Sequence, residues 1–207
     1  MKKKINLNSW NRKSHFDFFK GFDDPFFGIT VNVNCRKGYE NSKKQHASFF
    51  LFYLHAALKT ANEIEEFRYR IEGEEVYLYD HVNASPTIDR GDEPFGFSYM
   101  DYYKNFEKFS EEAEKEIARV KKTSGLVPAT NNENVIQFSS LPWLQFTSIS
   151  HARHFKIKDC IPKISFGKIF EEGESLLMPV SVHASHALMD GKHVAQFFEL
   201  FEKHLNE

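Results

Sequence analysis

The sequence predicts an α/β fold in two layers, a mixed β-sheet covered by helices, and three observations carry that expectation. Two glycine-centred turns, Glu72-Gly73-Glu74 and Glu172-Gly173-Glu174, each join two short β-prone runs, the signature of antiparallel hairpins. Between Met100 and Lys122 the apolar residues Tyr102, Phe106, Phe109, Ala113, Ile117 and Val120 recur three and four apart, as on an amphipathic helix. Strand-like and helix-like segments alternate loosely along the chain, so helices are expected to pack on a sheet that includes antiparallel pairs.

Taken in order, Ser9 is placed to cap a short helix from about Trp10 to Gly21, which Pro25 stops. Gly28 to Asn34 alternates as a strand, and Gln45 to about Ile64 reads as a buried helix. Phe67 to Ile71 and Glu75 to Tyr79 are the arms of the first hairpin, and Pro86 to Arg90 forms a further short strand. The Glu and Lys residues of the Met100–Lys122 helix form a solvated face, and Gly125 ends it. Strands are expected at Val135–Phe138, Trp143–Ile149, Ile161–Phe170 and Ser175–Ala184. Asp190 then caps a final helix bearing Val194, Phe197, Phe198, Phe201 and Leu205. Pro179 removes a ladder donor from the last strand, which favours an edge or a bulge. An edge this apolar needs cover, and a partner subunit would supply it.

A chain of 207 residues with 41% hydrophobic content can bury one sizeable core, so a single domain over residues 1–207 is expected. The net charge is -2, so there is no global positive field for a polyanion, and no nucleic-acid partner is expected. The 22 phenylalanines imply a bulky aromatic core, a greasy ligand pocket, or both. Cys35 and Cys160 form no CxxC pair and read as small core residues. Met1-Lys2-Lys3-Lys4 is followed by no apolar stretch, and no run approaches the roughly 18 apolar residues of a membrane span. A cytoplasmic protein without membrane contact is expected.

The stretch from Val182 to Gly191 carries the chemistry. A strand delivers His186 to a turn, and a helix starts at Asp190. A rigidly held neutral imidazole is a good base near neutral pH. Asp190 can brace the turn, and Gly191 can let it tighten. Two blander readings stand beside this one: an aspartate N-cap alone explains Asp-Gly at a helix start, and a lone histidine at such a turn is more often structural than catalytic. His183, His186 and His193 make a poor metal set, because strand residues three apart point to opposite faces; no metal is expected.

His186-Ala187-Leu188-Met189-Asp190-Gly191 matches the second half of the HHxxxDG motif of the chloramphenicol acetyltransferase family, a motif shared with the core of the dihydrolipoamide acyltransferases. Trp10-Asn11-Arg12-Lys13-Ser14-His15-Phe16 resembles the family's W-x-R-x-x-H-F segment. Ser139-Ser140-Leu141-Pro142-Trp143 resembles its S-x-x-P-W segment, followed by Phe146-Thr147-Ser148. Glu66 to Ile71 is similar to its E-x-R-x-x-I stretch, and Leu176 to Val180 to the strand before the catalytic turn. The likeness is collinear from about residue 3 to the C-terminus.

The resemblance implies that His186 is the general base of an acetyl-CoA-dependent O-acetylation of chloramphenicol or a similar hydroxylated small molecule. It implies Ser139 as donor to the oxyanion and Ser165 as a hydroxyl near the intermediate. It pairs Arg12 with Asp190 to hold the turn, and gives Phe19, Phe27 and Trp143 to the acceptor site. It implies direct transfer without an acyl-enzyme, in a homotrimer with active sites between subunits. The sequence departs from the family at Ser185, which replaces the first motif histidine, and at Phe19, which lacks the hydroxyl of a family tyrosine. Two alternatives stay open: a dihydrolipoamide-type acyltransferase with a thiol acceptor, and an inactive trimeric homologue that only binds ligand.

Overall fold

The structure is a computed structural model that describes residues 1–91, 94–126, 133–156 and 158–207. Its elements are β1 (Lys2–Lys4), α1 (Lys13–Phe19), β2 (Phe26–Asn34), α2 (Arg36–Lys44), α3 (Phe49–Glu63), a 3-10 turn (Glu65–Arg68), β3 (Tyr69–Glu72), β4 (Glu75–Tyr79), β5 (Asn83–Ile88), β6 (Gly96–Phe97), α4 (Phe106–Lys121), β7 (Val135–Leu141), β8 (Lys163–Gly167), β9 (Phe170–Glu172), β10 (Ser175–Ser185) and α5 (Gly191–Leu205). The main sheet runs β2-β10-β8-β7-β5-β6, with β9 paired to the start of β10. The β5–β7 and β7–β8 pairs are parallel and the others antiparallel, so the sheet is mixed, as expected. A second sheet, β1-β4-β3, carries the first hairpin. Both hairpin glycines adopt the left-handed backbone their turns require, Gly73 at φ 62° and Gly173 at φ 58°.

Helices cover one face of the main sheet. On β10, Met178, Val180, Val182 and Ala184 are buried in the core shared with α3 and α5. In α3, Leu51, Leu54, Leu58 and Ala61 are fully buried at spacings of three and four, each leucine contributing about 1.5–3 kcal/mol. α5 adds Val194, Phe197, Phe201 and Leu205, all fully buried. Phe197 stacks on Phe67 at 5.1 Å and on Phe201 at 5.7 Å, so much of the phenylalanine content is core.

The opposite face of the same strands is polar. The register places Thr30, Ser181, Ser165 and Ser139 side by side across β2, β10, β8 and β7. Buried Arg70 ties the small sheet to the main one, its guanidinium donating to the carbonyls of Phe67, Tyr69, Glu133 and Val135. Among the described residues no helix is long and apolar enough to cross a membrane.

Several expectations are corrected. Ser9 caps nothing; its hydroxyl donates to the Asn6 carbonyl, and α1 starts after Arg12. The segment before Gln45 is helical too: α2 is a polar helix whose Gly38 lies against the C-terminal turn of α5, where a Cβ would meet the Leu205 carbonyl at 2.3 Å. A left-handed His46 then turns the chain into α3, so the long helix expected from Gln45 starts at Phe49. Trp143–Ile149 forms no strand; after Leu141 the chain turns, and the Leu144 carbonyl accepts from the Lys168 N–H at 2.8 Å just past the end of β8. Pro179 is not on an edge, because β10 pairs with β2 on one side and with β8 and β9 on the other. Its missing donor falls opposite the break between Gly167 and Phe170, where β8 ends and β9 begins. Replacing Phe197 by Ala should cost about 3–5 kcal/mol in chemical denaturation, a cavity cost set by the aromatic stack around it.

Candidate active site

His186 leaves the end of β10 in a closed turn. Its N–H donates to the Pro25 carbonyl at 2.9 Å, and the N–H groups of Leu188 and Met189 both donate to the Ser185 carbonyl at 3.0 Å. The imidazole is stacked between two aromatic rings, Phe27 at 3.9 Å and Phe19 at 4.9 Å between centroids. Burial lowers its pKa below the usual histidine value, against a backbone hydrogen bond with Met189 and the nearby Asp190, which favour the charged form. The ring is therefore fixed in orientation, partly exposed and neutral at neutral pH.

Arg12 Nη1 donates to Asp190 Oδ2 at 2.8 Å, and Nη2 reaches the His186 carbonyl at 3.4 Å. Arg12 is buried, and among the described residues its Nε has no partner. Burial pushes the Asp190 carboxyl up, but hydrogen bonding from Arg12 and the neighbouring His193 outweigh it, and its pKa falls. Asp190 also caps α5, accepting from the Lys192 N–H at 3.2 Å. The pairing of Arg12 with Asp190 expected from the resemblance is thus present as geometry. Gly191 is not forced by its backbone: its φ is not left-handed, and a Cβ there would meet nothing nearer than Ile29 at 4.0 Å.

Ser139 and Ser165 lie elsewhere on the sheet. They pair across β7 and β8, and Ser165 pairs with Ser181 on β10. Ser181 and Ser185 are four strand residues apart, about 13 Å at roughly 3.3 Å per residue, so in one chain these hydroxyls sit well below His186. Trp143 is separate again, two-thirds exposed in the turn after β7. Phe19 and Phe27 are therefore with His186, and Ser139, Ser165 and Trp143 are not.

The sequence reading missed an imidazole pair on the polar face. His151 Nε2 lies 3.5 Å from Ser165 Oγ, a weak contact, and its ring meets His183 edge-on at 4.8 Å. Burial, with His183, Lys163 and Arg153 nearby, holds His151 down at about 4. The His183 ring covers Gly28, where a Cβ would come within 2.6 Å of it. His183, His186 and His193 thus occupy three separate environments. Ser185 Oγ is buried without a partner among the described residues, at the wall of a cavity of about 160 Å³ that also meets Lys20, Pro25, Arg153 and Cys160. Both thiols are buried and raised, Cys35 to about 12 and Cys160 to about 11, which makes them inert as nucleophiles.

A two-layer α/β fold that presents one stacked imidazole on a strand-to-helix turn defines the class of protein. The chain belongs to the chloramphenicol acetyltransferase family, whose model matches residues 2–202. It is similar to a chloramphenicol acetyltransferase of Proteus mirabilis, 26% identical over 98% of this chain and 94% of that protein. A Clostridium perfringens chloramphenicol acetyltransferase is 27% identical over 94% of this chain and 90% of its own length. A solved chloramphenicol acetyltransferase superposes with a TM-score of 0.93 and 32% identity, over 99% of this chain and 100% of that one. A probable dihydrolipoamide acetyltransferase from Listeria monocytogenes shares the fold, with a TM-score of 0.68 and 11% identity over 98% of this chain and 94% of that one.

The half-buried His151 predicts an acid-sensitive fold. His151 is neutral when folded but protonates near 6.5 when unfolded, so unfolding takes up protons below that pH. Stability should fall as pH drops from about 6.5 towards 4, and His151→Gln should flatten the decline; thermal melts across that range measure both.

Proposed function

We propose that the chain is an acetyl-CoA-dependent O-acetyltransferase, acting on chloramphenicol or a similar hydroxylated small molecule, with His186 as the general base. The observation that carries the reading is the His186 ring itself, neutral, stacked between Phe19 and Phe27, and seated on a turn pinned by Arg12 and Asp190. Neighbouring apolar rings suit an amphipathic acceptor.

In the proposed reaction His186 takes the proton from the acceptor hydroxyl as its oxygen bonds to the thioester carbonyl carbon. Ser139 donates to the oxygen on which negative charge develops, and Ser165 supplies a second hydroxyl beside it. The carbon–sulfur bond then breaks, and His186 returns the proton to the departing thiolate. The His186 ring is stacked against Phe19 and Phe27, and both thiols are inert, which supports direct transfer over an acyl-enzyme. Arg12 and Asp190 only hold the turn.

The separation along β10 bears on assembly. A base and an oxyanion donor about 13 Å apart in level cannot serve one reacting centre. The proposal therefore includes a homotrimer in which His186 of one subunit faces Ser139, Ser165 and Trp143 of the next. The chain acts as one domain over residues 1–207, in keeping with a family match over residues 2–202. The setting is the cytoplasm, where two unpaired thiols remain reduced. No metal takes part in the scheme.

The test is CoA thiol release from acetyl-CoA with chloramphenicol as acceptor. His186→Ala should slow release about 10²–10⁴-fold; an unchanged rate would remove His186 from the base position. Because the base must be deprotonated, kcat/KM should fall on the acid side, with an apparent pKa below the usual histidine value.

A further inference from the structure

We propose that Glu66 and His193 are positioning residues for this transfer, forming a chain of polar contacts that holds Asp190, and with it the His186 turn, together with Arg12. The inference rests on the reading of His186 as the base, and it assigns a task to Glu66, a motif residue that the reaction scheme leaves unused.

The geometry is a linear chain of four groups, from Arg12 through Asp190 and His193 to Glu66. Arg12 occupies Asp190 Oδ2. The Asp190 backbone N–H donates to His193 Nδ1 at 3.1 Å, while the Asp190 side chain accepts from the start of α5, a reciprocal capping arrangement. His193 Nε2 lies 3.3 Å from Glu66 Oε1. These contacts fix the ring. A nitrogen that accepts from an N–H carries no proton, so Nδ1 is bare and the proton sits on Nε2, where the negative charge of the nearby Glu66 carboxylate favours it. His193 Nδ1 is also 3.1 Å from Asp190 Oδ1, a contact that no hydrogen bond can bridge in this tautomer.

Glu66 therefore does more than fill space. Were the proton on Nδ1 instead, it would face the Asp190 N–H and be repelled. It would also be drawn to Oδ1, pulling the carboxylate against its bond to Arg12. The anchor is rigid: Glu66 precedes Phe67, which is fully buried and stacked on Phe197 of α5. His193 and Glu66 are each less than a quarter exposed, so water competes weakly for the link. The N-terminal segment, the 3-10 turn and the start of α5 thus meet at Asp190, four residues from the base.

Two readouts test this. Imidazole nitrogen NMR on the wild-type protein at neutral pH should show His193 with a bare Nδ1 and a protonated Nε2. Glu66→Leu should weaken that preference, raising the share of Nδ1–H, which Asp190 Oδ1 attracts. An Nδ1–H tautomer in the wild type, or no change in Glu66→Leu, would overturn the proposal. In the CoA-release assay, His193→Ala should lower kcat by about tenfold, the scale of one lost hydrogen bond, with KM for acetyl-CoA within about twofold. His193→Gln, able to accept from the cap N–H and donate to Glu66, should recover most of the rate. The loss in Arg12→Ala/His193→Ala should be smaller than the product of the single losses, since both act on Asp190. An unchanged kcat in folded His193→Ala, or a loss that Gln does not recover, would overturn the proposal. Failure of the wild type to acetylate chloramphenicol would instead count against the acceptor, and the NMR readout would still decide the Glu66–His193 link.

Discussion

The ion pair between Arg12 and Asp190 is the constraint on which the site depends. It joins the N-terminal segment to the strand-to-helix turn across the whole length of the chain, and it does so with the cation buried and, among the described residues, one guanidinium nitrogen unpartnered. A buried arginine with so little other hydrogen bonding is costly without its carboxylate. That cost makes the turn stiff: Asp190 is held by Arg12, by the helix it caps and by His193, and the His186 carbonyl is within reach of the same guanidinium. The stacked rings of Phe19 and Phe27 then leave the imidazole little freedom to rotate.

Strand alternation does the remaining placement. Even-numbered residues of β10 face the helices and are apolar; odd-numbered ones face away, and over the second half of the strand they are Ser181, His183 and Ser185. One strand therefore builds the core with one face and a polar ladder with the other, and it ends at His186. Pro179 is tolerated at the centre of the sheet because the neighbouring strand is interrupted opposite it. The proposed trimer brings that polar ladder to the imidazole of another subunit, which no rotation within a single chain achieves.

What the sequence made legible was local and periodic. The two glycine turns, the α4 face and the Asp190 cap are each written within a few residues, and the structure contains them. The α2 helix was hidden because its apolar content is nearly nil and its position depends on Gly38 seating against distant Leu205. Trp143–Ile149 reads as β-prone, yet tertiary context overrides that propensity after Pro142. The Arg12–Asp190 pair was foreseen from the family resemblance, not from spacing; 178 residues separate the partners. The His193–Glu66 link had only a faint local signal, a histidine at the third helical position, and the contact between His151 and Ser165 had none, since it depends on how a loop folds back over the sheet.

The central claim, that the Arg12–Asp190 pair aims His186, is tested most directly by a double-mutant cycle on acetyl transfer. The account predicts that Arg12→Ala and Asp190→Ala each lower kcat and that the double variant loses little beyond either one, a coupling of about 0.5–3 kcal/mol. Losses that multiply independently would contradict it, and would mean that the two residues act on the turn separately.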